Sequence, residues 1–202
     1  PDESHAIFSD STGVFMLTEK PLIDAAISEG LQPRKIVPNS VITQFESSRR
    51  SLLSVSQNEA LLDIHNEYRS DTALGATPSQ PAATNMNKLI WDPYLAKVAA
   101  DYSAKCTWQH NQDRDIDLQQ YQDRTEYHFD STSLSVGENL YYSTANASTA
   151  TLLYGIQAYY EEYEYFTFNN ATTGCCVDGE QCGHYTQVVW ANTRYVGCGY
   201  TL

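Results

Sequence analysis

The sequence predicts an α+β fold, a mixed helix-and-sheet sandwich, and three observations carry that expectation. Helical patterning recurs within residues 56–163, strand-like runs gather from residue 185, and a cysteine-rich loop lies between the two. Helices first and strands last is the order of elements segregated into layers around one core. At 202 residues, 42 % of them hydrophobic, the chain can build one sizeable domain and an extension.

Residues 1–55 contain no cysteine, carry Pro21, Pro33 and Pro38, and close on Ser47-Ser48-Arg49-Arg50-Ser51. Residues 22–27 suit a short helix stopping at Gly30. Arg49-Arg50 reads either as a processing site or as two solvated basic residues. The region is taken as an extension of unknown role.

From Ser56 the signals sharpen. Ser56-Gln57-Asn58-Glu59 has the capping-box pattern, and Leu61, Ile64, His65 and Tyr68 recur at helical spacing. A polar loop follows over 70–85. Asp92-Pro93 places a cap residue before a proline at the first helical position, and Leu95, Val98, Ala99, Tyr102 and Cys106 form one face. Residues 109–135 read as a long polar loop with room for one short helix. Ser148 or Thr149 caps a third helix whose buried face is Leu152, Leu153, Ile156, Tyr159, Tyr160 and Tyr163, with Gly155 marking close packing. Residues 185–190, ending Val188-Val189-Trp190, read as a strand. Ala191-Asn192 turns the chain into residues 195–200 as its antiparallel neighbour.

Composition excludes several classes. Twelve basic against 25 acidic residues give −13, which repels nucleic-acid phosphates and anionic headgroups. No apolar run approaches the roughly 18–20 residues of a membrane span. Four of the five cysteines (Cys106, Cys175, Cys176, Cys182, Cys198) fall after residue 174, and no pair of Cys-x-x-Cys motifs is present to build a zinc site. Disulfides in an oxidising compartment are the expectation, with the odd cysteine free or bonded outside the chain. Sequons at Asn146 and Asn170 fit a secreted glycoprotein.

Five stretches together resemble one family. His65-Asn66-Glu67-Tyr68-Arg69, Trp91-Asp92-Pro93-Tyr94-Leu95-Ala96, Cys106-Thr107-Trp108-Gln109-His110, Gly137-Glu138-Asn139-Leu140 and Cys182-Gly183-His184-Tyr185-Thr186-Gln187-Val188-Val189-Trp190 with Val196-Gly197-Cys198 occur in the order of the CAP superfamily. That superfamily comprises the cysteine-rich secretory, antigen 5 and pathogenesis-related 1 proteins. The resemblance covers residues 56–202 and implies a three-layer α–β–α sandwich with a central, mostly antiparallel sheet. It also implies a groove where His110, Glu138, Glu162 and His184 meet. Glu162 follows from the aromatic pair Tyr159-Tyr160, with Glu161 as competitor if the register slips by one. The resemblance further implies a Cys176–Cys182 disulfide and partners for Cys106 and Cys198 beyond residue 202. By that pattern the chain lacks its last strand, as a truncated sequence would.

Two neutral imidazoles suit zinc or a similar divalent ion, with carboxylates orienting the rings. The same four groups suit acid–base hydrolysis, or a purely structural hydrogen-bonded cluster. His65, on the apolar face of the first helix, is expected to be a satisfied core histidine. Superfamily members include sterol and fatty-acid binders. Phe166 and Phe168 begin the associated aromatic spacing, but Thr173 stands where the next aromatic belongs. The expected function is a secreted, non-enzymatic protein holding a lipid, a divalent metal or a partner at the groove. The alternatives are a structural component of an extracellular assembly, oligomerising through residues 1–55 or Cys175, and a hydrolase.

Overall fold

The computed structural model describes residues 53–122, 134–146, 148–168 and 175–201, together with the backbone of residues 12–21. The chain is α+β. Its sheet has four strands: β1 (Thr12–Pro21), β2 (Ile90–Trp91), β3 (Leu134–Ser143) and β6 (Tyr195–Thr201), in the order β2-β6-β1-β3. β1 is antiparallel to both neighbours, pairing Leu17 with Glu138 on one side and Met16 with Cys198 on the other. β2 runs parallel to β6. The amino-terminal region therefore supplies an interior strand, between β6 and β3. The short helix expected at 22–27 lies outside the described residues.

Helix α1 (Val55–Leu74) starts two residues before the expected box. Ser54 Oγ accepts from Gln57 N at 3.2 Å, and the Gln57 side chain accepts from Ser54 N at 2.9 Å. Ser54-Val55-Ser56-Gln57 has the same cap-to-third-residue spacing as the Ser56 pattern, with Gln in place of Glu, and its cap is the one that forms. The helix runs on to a Gly75 cap, shortening the loop predicted over 70–85.

Helix α2 (Pro93–Ser103) begins as read: Asp92 Oδ1 accepts from the amides of Tyr94 and Leu95 at 2.7 and 3.0 Å. It ends before Cys106, which is exposed with φ at 52° and does not extend the buried face. A short helix α3 (Arg114–Gln122) occupies the polar stretch. Ser148 caps α4 (Thr149–Glu161), where a Cβ on Gly155 would lie 2.8 Å from the Tyr141 ring. A 3₁₀ turn (Glu162–Tyr165) leads to a hairpin of β4 (Phe166–Thr167) and β5 (Cys175–Cys176).

The strand expected at 185–190 is a helix, α5 (Gly183–Val188). Its buried positions are Tyr185 and Val188, three apart, so the apolar period is helical despite the β-branched pair that suggested a strand. β6 consequently pairs with β1 and β2, not with that segment.

Two apolar clusters hold the elements. Leu61, Leu152, Ile156, Tyr159 and Val188 pack with Val196 and Cys198 of β6. Leu95, Val98, Tyr102, Leu118, Val136 and Leu140 pack with Tyr195. Between them, Gly197 and Gly199 let α2 lie directly on the strand. A Cβ at either would come within 2.1–2.2 Å of a backbone nitrogen of Ala96 or Ala100. Beneath α1, Arg69 is 1 % exposed, and its guanidinium donates to the carbonyls of Asn87, Val188, Trp190, Ala191 and Thr193. The loop after α5 is thus wrapped around one buried cation.

Candidate functional site: a groove between two histidine–glutamate pairs

Each histidine predicted for the site is found against a glutamate. His110 lies between α2 and α3, and its Nδ1 is 2.8 Å from Glu138 Oε1 on β3. The same oxygen accepts from Asn111 N at 2.9 Å. The carboxylate is 2 % exposed while the imidazole is 54 % exposed, so a buried acid holds a ring that stands in solvent. The segment is fastened to β3 by Arg114, which donates from Nε to the Val136 carbonyl. Asp115 returns the contact by accepting from Val136 N at 2.6 Å.

The second pair is built at the start of α5. His184 Nδ1 lies 2.6 Å from Glu162 Oε1, and Glu162 Oε2 accepts from His184 N at 3.0 Å and Tyr185 N at 3.2 Å. One carboxylate thereby orients the ring and satisfies two amides at a helix start. Tyr159 stacks on the imidazole at 4.8 Å, and Asn139 Nδ2 donates to the His184 carbonyl at 3.0 Å. Glu161 points away, accepting from Gln157 at 2.6 Å, and takes no part.

The two histidines, Glu138, Asn139, Gln181 and Gln187 line one groove of about 350 Å³. Glu162 stands behind His184 and outside that lining. Gln187 stands in a family-like stretch, but its place in the groove was not read from the sequence, although the glycine of Gly137-Glu138 signals it. A Cβ at Gly137 would lie 2.2 Å from Gln187 Oε1, so only glycine lets that amide rest on β3.

The Cys176–Cys182 disulfide closes, joining β5 to the residue before α5, two positions from His184. Cys106, Cys175 and Cys198 are outside disulfides; Cys106 and Cys175 are exposed, and burial pushes the Cys198 thiol well above its usual range. Asn146 of the first sequon is exposed, whereas Asn170 lies outside the described residues. His65 is the core histidine expected. It is fully buried, held 2.6 Å from the Leu61 carbonyl, and its pKa is lowered to about 4 chiefly by desolvation. The hydroxyl of Thr186 donates to the Gly183 carbonyl at 3.0 Å and is not presented to an imidazole.

Fold and site define an α+β protein with a disulfide-tied groove between two His–Glu pairs. The chain belongs to the CAP family: the model of the Cysteine-rich secretory protein family matches residues 62–202. It is 33 % identical over 147 residues to Peptidase inhibitor 16 of Mus musculus, covering 73 % of this chain and 23 % of that protein. It is 32 % identical over 148 residues to Venom allergen 5 of Polybia paulista, covering 71 % and 64 %. The chain therefore spans from about a quarter to just under two thirds of the length of these relatives. Among solved structures it is similar to NaASP2 crystallised with Zn2+, at a TM-score of 0.47 and 18 % identity, covering 76 % of this chain and 79 % of that one.

Proposed function

We propose that this chain is a secreted, non-catalytic binding protein that takes its ligand in the groove between His110 and His184. One observation carries the reading: both imidazoles are held at Nδ1 by carboxylates. A carboxylate accepting from Nδ1–H fixes the tautomer whose Nε2 carries a lone pair, the arrangement that suits a ring for metal or donor binding. Glu162 uses both oxygens in this work, on His184 and two amides, and Glu138 uses Oε1, on His110 and Asn111 N. Glu162 stands outside the groove lining and Glu138 is only 2 % exposed, which favours binding over general-base chemistry.

Zinc or a similar divalent cation fits the two imidazoles, with ligand oxygens or water completing its shell. Two protein ligands are fewer than the three of a catalytic zinc centre, and among the described residues no set of three or more His, Cys, Asp or Glu is arranged around one point. A metal here is therefore weakly held and exchangeable. When bound, it would supply electrostatic attraction for a ligand oxygen. The polar lining suits a polar ligand better than a lipid tail, which would strand these groups without partners.

Secretion is supported by the disulfide and the exposed Asn146 sequon. Among the described residues, no helix is long and apolar enough to cross a membrane. The alternation of β6 side chains between two apolar clusters supports a three-layer α–β–α sandwich, with the family domain at 56–202 and residues 1–55 an extension that lends it β1.

The test is a zinc titration of wild type, His110→Ala and His184→Ala, followed by imidazole NMR and accompanied by peptide and ester turnover assays. Saturable binding in wild type only, with turnover at background, is expected. Equal binding by all three proteins would remove the metal reading, and turnover abolished by Glu138→Gln would remove the non-catalytic one.

A further inference from the structure

Next to the groove lies an aromatic surface that the His–Glu pairs do not use. Trp108 is 54 % exposed and Tyr142 38 %, and their rings meet edge-on with centroids 6.0 Å apart. Trp108 precedes His110 by two residues, so their Cα atoms are at most about 7 Å apart. Tyr142 follows Glu138 by four residues on β3, on the same strand face and about 13 Å along it. The aromatic pair and the groove are thus consecutive parts of one strip.

We propose that this strip is an extended binding site for a neutral oligosaccharide, with Trp108 stacking one sugar ring that Tyr142 flanks while the groove holds the next. The proposal rests on the groove being the binding site, as argued above, and it names the class of ligand. Pyranose rings present apolar C–H faces and a rim of hydroxyls that both donate and accept. The protein presents matching groups in the same order. An exposed indole and phenol offer flat apolar surface fixed by few rotatable bonds. The Gln181 and Gln187 carboxamides and two imidazoles in the groove have donors and acceptors suited to hydroxyls.

Alternative chemistries fit less well. The charge of −13 repels sulfated and uronate-rich glycans. An acyl chain would cover Trp108 but leave the groove's amides unpaired.

The test uses the full chain and defined probes: chitohexaose, cellohexaose, laminarihexaose and mannohexaose, with a heparin hexasaccharide as the anionic control and an unstructured hexapeptide as the peptide control. Calorimetry and tryptophan fluorescence report binding. At least one neutral hexasaccharide is expected to bind, more tightly than its disaccharide, with quenching that disappears in Trp108→Ala. Affinity should fall at least tenfold in Trp108→Ala and in Gln187→Ala. Trp108 is exposed, so an unchanged melting temperature and unchanged zinc response will show that Trp108→Ala keeps its fold and groove. Loss of zinc binding with saccharide binding intact would remove the metal reading and leave this one standing. If zinc binds and no neutral hexasaccharide does, the saccharide proposal is overturned and the groove reading survives. Preference for heparin or the peptide, or sugar binding indifferent to Trp108, would also overturn it.

Discussion

Arg69 offers the sharpest test of how the groove is held. Arg69→Met keeps much of the aliphatic stem and removes the guanidinium. Of the five carbonyls that group contacts, Trp190 and Ala191 also receive backbone donors, Thr193 N at 3.1 Å and Asn87 N at 3.0 Å. The carbonyls of Asn87, Val188 and Thr193 would lose the guanidinium donors that reach them inside the protein. At roughly 1–3 kcal/mol for each buried acceptor left unsatisfied, less the relief of no longer burying a charge, the loss should be about 4 kcal/mol. That is a large share of a typical domain's stability. Burial lowers the Arg69 pKa to about 10, so at neutral pH the group removed is a cation. Urea unfolding gives the stability change, and hydrogen exchange at Thr193 and Asn87 amides shows whether the loop loosens before the whole molecule does. Arg69→Lys, with one nitrogen, should recover only part. A loss under about 1 kcal/mol with unchanged exchange would refute the idea that this cation organises the loop behind His184.

Four further outcomes are expected. Burial depresses His65 to about 4, so between pH 6.5 and 4 the unfolded chain binds more protons than the native one. Stability should fall by about 3 kcal/mol as pH drops through that window, and His65→Leu should flatten this part of a pH–stability profile. Gly137→Ala should displace the Gln187 amide into the groove, weakening zinc uptake while lowering stability by only about 1–2 kcal/mol, read by titration and melting. Gly197→Ala drives a methyl into the α2 backbone, and thermal unfolding should show a loss of about 3 kcal/mol or more. Glu162→Ala strips partners from His184 Nδ1 and two amides and should cost about 2–3 kcal/mol together with the zinc response, whereas exposed Glu161→Ala should stay within about 0.5 kcal/mol.

What could be read from residues alone was whatever local chemistry determines. Asp92-Pro93 started α2 as expected, because a side-chain cap and a fixed φ act within one turn. The site positions came instead from the family resemblance, through short motifs for His110, Glu138 and His184 and through the aromatic-pair register for Glu162; the structure sets His110 against Glu138 and His184 against Glu162. Long-range competition decided the rest. Val188-Val189-Trp190 has strand propensity, yet Tyr185 and Val188 bury one helical face against the core and Cys182 is tied to β5, so a helix forms. Gln187 and Arg69 stand in the family-like stretches, but nothing in the sequence marked their roles, for a related reason. Each acts on a part of the chain far away in sequence, and their signals, a glycine and an arginine on an otherwise apolar face, have many commoner explanations. β1 belongs with them, since nothing local in residues 12–21 names β6 and β3 as its neighbours.

That placement has a consequence for how the molecule assembles. Met16 must find Cys198, and Thr12 must find Ser143, across 182 and 131 residues of sequence. Closing loops of that length is paid for in chain entropy before any pairing rewards it, which makes high-contact-order sheets slow to form. During synthesis, the segment bearing β1 emerges before both of its partners, β3 and β6. Helices α1, α2 and α4, being local, can form while it waits. The sheet that carries Glu138 is therefore expected to be the last part to consolidate, and the groove to acquire its shape in the final step of folding.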